Sequence, residues 1–416
     1  MTSVVAADPV SVPGPGAAQF GRFFVGAPLS IAFLNENALG HGSYLPRFAR
    51  ELARRPELGV VPRVLDVLPL PADLQRRADF SVRGLRKLGL DFQASRWRSV
   101  TSARARALLD DLRRRERVDA VVVNTQSVAL DLADLAAELP LVVCLDATFD
   151  QLARSPWFAP NRAAAWLQPL TLAGLRAREA RVLRSAAHCL VWSAPVRDSL
   201  VTHYGLPADR IETLPPSLDL EAFRYREASA GNGGDGVPAG DSPPRLLFVG
   251  GDFVRKGGPA LLEAYRSRLR KRCELRIVTQ GDVPEEPGVS VHRQVTAGSE
   301  AWLQLWQSAE VFVFPSRLET FGIVLLEALA FGVPVVSSRA GAAADILGDG
   351  RHGVLLGDTS PEAIAHGVEQ VLADPAAARI RAQAGRERVE RDFSLSVNAA
   401  RLAERLSVLL RGRGWR

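Results

Sequence analysis

The 416 residues are enough for two domains at about 100–200 residues each. With 47% hydrophobic and 24% charged residues, the balance is that of a globular protein, which excludes a disordered chain, and no apolar run approaches the roughly 20 residues a membrane span needs. The net charge of +6 comes from 49 Arg and only 3 Lys. Together with abundant Ala, Gly and Pro, this reads as a coding bias and not as a nucleic-acid footprint, so no nucleic-acid partner is expected.

Residues 1–20 lack both a basic n-region and a long apolar h-region. They read as a flexible tail, not a secretory signal. Cys144, Cys189 and Cys273 are scattered singly, without zinc or redox spacing, and are expected as core residues in a reducing compartment.

Strands are predicted at 30–34, 62–68, 119–124, 141–147 and 188–193, then again at 245–251, 275–280, 289–293, 311–316 and 333–338. Several are continuous Val, Leu, Ile or Phe, the mark of strands covered on both faces. Helix-patterned stretches separate them, so each series predicts a parallel α/β sheet. The Gly-, Pro- and Asp-rich stretch between the series cannot build a core. The division is therefore a first domain at 21–222, a linker at 223–244, a second domain at 245–394, and a C-terminal helix at 395–416 crossing back to the first domain. The fold class is α/β, with two doubly wound Rossmann-like domains facing across a cleft.

Three stretches carry chemistry. In "PSRLETFGIVLLEALAFGVPVV", 315–336, a buried strand ends, a turn follows, and a helix begins near Phe321-Gly322. Glu319 lies before that helix and Glu327 two turns along it, so about 12 Å of axis separates them and they share neither proton nor metal. Amides of Phe321, Gly322, Ile323 and Val324 are placed for a phosphate, and Glu327 for the hydroxyls of a sugar such as a ribose diol. In "RLLFVGGDFVRKGGPALLEAY", 245–265, a strand leads through Gly250 and Gly251 to Arg255 and Lys256 at a helix start. Two cations and a helix N-terminus suit a diphosphate, and a lysine that persists in so arginine-rich a chain marks the position. In "SIAFLNENALGHGSYLPRFARELARR", 30–55, the Gly40-His41-Gly42 loop brings first-domain amides to the mouth of the cleft.

Together these stretches resemble the GT-B glycosyltransferases, in particular the large retaining family 4. "PSRLETFGIVLLEALAFGVPVV" matches that family's E-x7-E block and "FVGGDFVRKGG" its diphosphate block, while 185–223 resembles the end of its first domain. The resemblance implies transfer of a sugar from a nucleoside-diphosphate sugar to an acceptor with retained configuration. It implies catalytic roles for Arg255, Lys256 and Glu319, with Arg255 and Lys256 neutralising the leaving diphosphate and Glu319 beside the donor sugar. Donor contacts would come from Gly42, Gly250, Gly251, Phe321, Gly322, Ile323, Val324 and Glu327, the last on the ribose. No metal and no cofactor are expected: the chain contains no Asp-x-Asp, and the donor, a UDP-sugar by family frequency, is a substrate.

Two departures bear on that reading. Where many relatives carry a histidine near the donor sugar, this chain has Thr125, Gln126 and Ser127. In 337–347, Ala342 and Asp345 stand where a second glycine and a glutamate are usual. The acceptor is unknown. The stretch 83–117, with eleven basic and four acidic residues, reads first as a solvated helix face. Recognition of a phosphate-bearing acceptor and a peripheral contact with the inner membrane surface are the rival readings of that stretch in an otherwise cytoplasmic protein. Two other functions fit the fold: a non-catalytic sugar-nucleotide binder, and an NDP-sugar epimerase, for which Glu36 is the only acid near the first loop.

Overall fold

The computed structural model describes residues 27–37, 41–81, 92–153, 162–223 and 243–412. The expected N-terminal tail, most of the linker and basic residues 83–91 lie outside the described residues.

The first sheet is built from β1 (Leu29–Asn35), β2 (Val60–Asp66), β3 (Ala120–Asn124), β4 (Leu141–Leu145), β5 (His188–Val191) and β6 (Ile211–Thr213), in the order β2-β1-β3-β4-β5-β6. The second holds β7 (Arg245–Val249), β8 (Glu274–Val278), β9 (Val289–His292), β10 (Val311–Phe314), β11 (Val335–Ser337) and β12 (Val354–Leu355), ordered β12-β11-β10-β7-β8-β9. Every pairing is parallel. All ten predicted strands form, because runs such as Ala120–Asn124, Leu141–Leu145 and Val311–Phe314 are buried along their whole length. The two additional strands, β6 and β12, are edge strands of three and two residues, too short to show a periodicity.

Strand order reverses between β1 and β3 in one sheet and between β7 and β10 in the other. The loops leaving these strands diverge at that point and open a crevice. Residues 36–37 after β1, the turn after β3, and the segments 250–258 and 315–322 all sit at these two crevices.

Six helices matter below: α1 (His41–Arg54), α2 (Gln93–Arg115), α3 (Ala173–Ser185), α4 (Gly258–Ala264), α5 (Ile323–Ala330) and α6 (Leu395–Gly412). The domains meet through apolar side chains. Phe321 sets its ring edge against Trp192 of the first domain, with centroids 5.9 Å apart, and Phe223 packs on Phe331 at 5.0 Å. The chain then crosses back: Leu218 and Leu395 exchange backbone hydrogen bonds with Phe393 and Leu218 at 2.9 Å. Helix α6 lies along α1, where Arg55 donates to the Ser396 carbonyl at 2.9 Å, and Arg405 pairs with Glu212 at 2.6 Å.

The three cysteines are free thiols in the core. Along α2, Arg106 pairs with Asp110 and Asp134, Arg113 with Glu138, and Arg114 and Arg115 with Asp111. Its basic residues are thus largely matched by carboxylates, and Arg98 is half-buried with its guanidinium 5.0 Å over the Phe149 ring.

Candidate active site in the interdomain cleft

The second-domain wall is built by loops that touch through glycines. Gly257 has φ +81, and a Cβ there would overlap the Pro315 carbonyl oxygen, so the turn after β7 seats directly on the loop after β10. At Gly341, with φ +59, a Cβ would come 2.6 Å from the Glu319 carbonyl oxygen, pressing a third loop onto the same segment. Replacing Gly257 by alanine is therefore expected to cost about 1–2 kcal/mol for the left-handed backbone alone, with the steric overlap added. Denaturant unfolding reads this directly; an unchanged midpoint would mean the two loops are not held by this contact.

This stacking sets the charged groups. The Lys256 ammonium is ion-paired with the Glu319 carboxylate, both little exposed at 14% and 11%. It also lies 4.9 Å from the centre of the Phe314 ring. Gly250 lets the lysine stem cross it, since a Cβ there would meet Lys256 Cγ at 2.9 Å, whereas Gly251 faces open space. Arg255 donates to the Leu318 carbonyl at 2.8 Å, its own amide donates to Asp252 at 3.0 Å, and its carbonyl accepts from the Arg317 amide at 3.1 Å. The two expected cations thus converge, and both are tied to the 315–319 loop. Helix α4 starts at Gly258 as expected and runs on as a π turn, Tyr265–Leu269.

Helix α5 begins one residue later than the turn chemistry suggested. Gly322 is its N-cap at φ +95, a conformation that costs glycine little. The first-turn amides, among them Ile323 and Val324, have no partner within such a helix. Phe321 is buried in the domain contact, so its ring serves packing, and only its backbone is available to a ligand.

Glu319 and Glu327 are separated as expected. Glu327 lines a cavity of about 210 Å³ between the domains, walled on one side by Arg47, Arg50, Glu51 and Arg54 of α1 and on the other by Trp302. Burial pushes the Glu327 carboxyl up to about 7, with the Arg47 guanidinium pulling the other way. The α1 face is the part of the site that sequence reasoning missed. Its signal was present, since Arg47, Arg50 and Arg54 recur at helical spacing just after Gly42, which was expected in a loop but lies inside α1. Such a row also describes an ordinary wet helix face. Asp219, within the 185–223 stretch that resembles the end of the family's first domain, lines the same cavity.

The first-domain wall is polar and buried. Glu36, at the end of β1, accepts from Thr125 Oγ1 at 2.8 Å, and Thr125 Oγ1 lies 2.8 Å from Ser127 Oγ. Gln126 turns inward and donates to the Ala147 carbonyl at 2.6 Å. Asp146 is a second buried acid at these strand ends. Gly42 lies in the first turn of α1, where a Cβ would come 3.0 Å from Asn37 Oδ1; the side chain of His41 lies outside the described residues. Asp345 accepts from the Ala194 amide at 3.2 Å, linking the domains at another point of the rim.

Two six-stranded parallel sheets facing across a cleft, with an E-x7-E helix on one wall, define a GT-B glycosyltransferase fold. Residues 40–222 match the model of Glycosyltransferase Family 4, and residues 243–374 that of Glycosyl transferases group 1. The chain thus carries a Glycosyltransferase Family 4 domain followed by a Glycosyl transferases group 1 domain. Over 214 residues it is 31% identical to a D-inositol 3-phosphate glycosyltransferase of Paenarthrobacter aurescens, covering 47% of this chain and 51% of the relative. A GDP-mannose-dependent alpha-(1-6)-phosphatidylinositol monomannoside mannosyltransferase of Mycolicibacterium smegmatis is 31% identical over 219 residues, covering 48% of this chain and 57% of that protein. The chain spans about half the length of the curated relatives it matches. Among solved structures, a sucrose-phosphate synthase of Thermosynechococcus elongatus superposes with TM-score 0.66 at 19% identity, over 92% of this chain and 100% of its own. HepE of Anabaena, solved with UDP and glucose, gives 0.59 at 16% identity, over 91% and 99%.

Proposed function

We propose that the chain is a retaining glycosyltransferase that takes a sugar from a nucleoside-diphosphate sugar, a UDP-sugar first among candidates, and passes it to an acceptor hydroxyl without a metal. The observation that carries this is the convergence of Arg255, Lys256, Glu319 and the first turn of α5 at the crevice between β7 and β10. When the bond from sugar to diphosphate breaks, negative charge builds on the leaving oxygen. Fixed cations and amide dipoles already aimed there lower the barrier. In this reading Arg255 and Lys256 hold the diphosphate, with the amides of Gly322, Ile323 and Val324 beside it. Glu319 keeps Lys256 oriented and borders the donor sugar, and Glu327 takes the ribose hydroxyls. Gly250 and Gly251 allow close approach, while Gly42 brings the α1 end of the first domain to the diphosphate.

The donor class draws support from neighbours: HepE was also solved with UDP-glucose, and one relative is named for GDP-mannose. A panel of UDP- and GDP-sugars with polyol and glycan acceptors tests the reading, the anomeric configuration of the product being followed by NMR. Retained configuration is expected, and inverted product would overturn it. Chelator is expected to leave turnover unchanged; strong loss with EDTA would replace the metal-free account.

A second reading has an observation behind it. Gln126 is turned into the first domain, towards the Ala147 carbonyl, and so offers the cleft no basic group where the family resemblance implies a histidine. A non-catalytic sugar-nucleotide binder would show saturable binding with no turnover on any acceptor.

A further inference from the structure

Glu327 and Arg47 face the same cavity from opposite domains. Among the described residues, neither side chain makes a hydrogen bond or an ion pair. They stand too far apart to pair directly, yet close enough for the guanidinium to favour the ionised carboxyl. A carboxylate can only accept and a guanidinium can only donate. An anion placed between them would suit Arg47 and be repelled by Glu327, and a cation the reverse. A hydroxyl satisfies both at once, because its oxygen accepts while its proton is donated.

We propose that Arg47 completes the ribose subsite from the first domain: a ribose hydroxyl donates to the Glu327 carboxylate while accepting from the Arg47 guanidinium, so that the bound donor ties the two domains together. This deepens the donor reading given above and rests on it. Arg47 is a positioning residue here, acting on the non-reacting end of the donor. Binding energy gathered there is available to hold the cleft closed while the sugar reacts. The other charged groups on the cavity are Arg50, Glu51 and Arg54 of α1 and Asp219 after β6. Arg50 donates to the Pro46 carbonyl of its own helix at 3.3 Å. A change confined to Arg47 therefore leaves the remaining field of the cavity in place.

The test is a calorimetric titration of the full chain with UDP-glucose and GDP-mannose, repeated across the neutral pH range on wild type, Arg47→Met and Arg47→Lys. A sugar nucleotide is the right probe, because its diphosphate is esterified at both ends and does not itself titrate there. Wild type is expected to lose affinity as the pH falls through about 7, where Glu327 takes up a proton. Arg47→Met is expected to bind about tenfold more weakly, the loss of one charge-assisted hydrogen bond, and to show its fall in affinity at higher pH. Arg47→Lys is expected to bring the pH midpoint back towards wild type, which a purely structural role for the arginine would not do. Wild-type affinity and an unshifted midpoint in Arg47→Met would overturn the inference while leaving the donor reading intact. Failure of wild type to bind either sugar nucleotide would overturn both.

Discussion

Replacing Lys256 by methionine is expected to lower transfer by about 10²–10³-fold, the usual cost of removing one preorganised group from the charge that develops in the transition state. The ammonium sits 4.9 Å from the centre of the Phe314 ring and against Glu319. The same change strands the Glu319 carboxylate in a position only 11% exposed. A stability loss should accompany the loss of turnover, up to about 3 kcal/mol for breaking a mostly buried pair by removing one partner. The double variant Lys256→Met/Glu319→Gln separates the two effects. It removes the stranded charge and is expected to recover stability but not turnover. Recovery of both would show that the lysine acts on the fold alone, and steady-state rates beside denaturant unfolding read the two quantities independently.

Glu327→Ala is expected to weaken sugar-nucleotide binding by about 1–3 kcal/mol, the cost of losing hydrogen bonds to a charged acceptor. Its effect on stability has the opposite sign. The folded carboxyl titrates near 7 in place of the ordinary 4.5, so the folded state resists ionising it. As pH rises from the unfolded value to the folded one, the unfolded chain ionises first and the native state loses stability, and above 7 the loss is constant. It amounts to on the order of 3 kcal/mol at most. Removing the carboxyl should therefore yield a protein whose stability falls less between acid and neutral pH, while its donor affinity is lower. A carboxylate held at such a cost marks a binding group in this account. If Glu327→Ala kept full affinity in a folded protein, the ribose role would be lost.

Much of the architecture was legible because burial writes itself into strands covered on both faces. Runs such as Ala120–Asn124 and Val311–Phe314 admit few other readings. The start of α5 was legible for a local reason, since Gly322 is placed where the backbone turns left-handed. What was not legible depends on distant parts of the chain meeting. Lys256 and Glu319 stand 63 positions apart, and nothing around either residue says that each neutralises the other. The row Arg47, Arg50 and Arg54 has the spacing of any solvated helix face; only the position of α1 opposite Glu327 turns it into a cavity wall. Gln126 was identified as a departure, but whether it faced the cleft or the interior depended on the Ala147 carbonyl that receives it. The edge strands β6 and β12 form because neighbouring strands offer free hydrogen-bonding edges, not because of a pattern of their own.

The central claim is that the cleft between the two sheets holds a nucleoside diphosphate by its cations, its amides and Glu327. The measurement that tests this most directly is a calorimetric titration of the purified protein with UDP, GDP and ADP in metal-free buffer. Saturable binding of one nucleotide, weakened in Lys256→Met and in Glu327→Ala, is the predicted result. An absence of binding to all three would contradict the account, and the stacked glycine loops would then be a feature of the fold without a donor to hold.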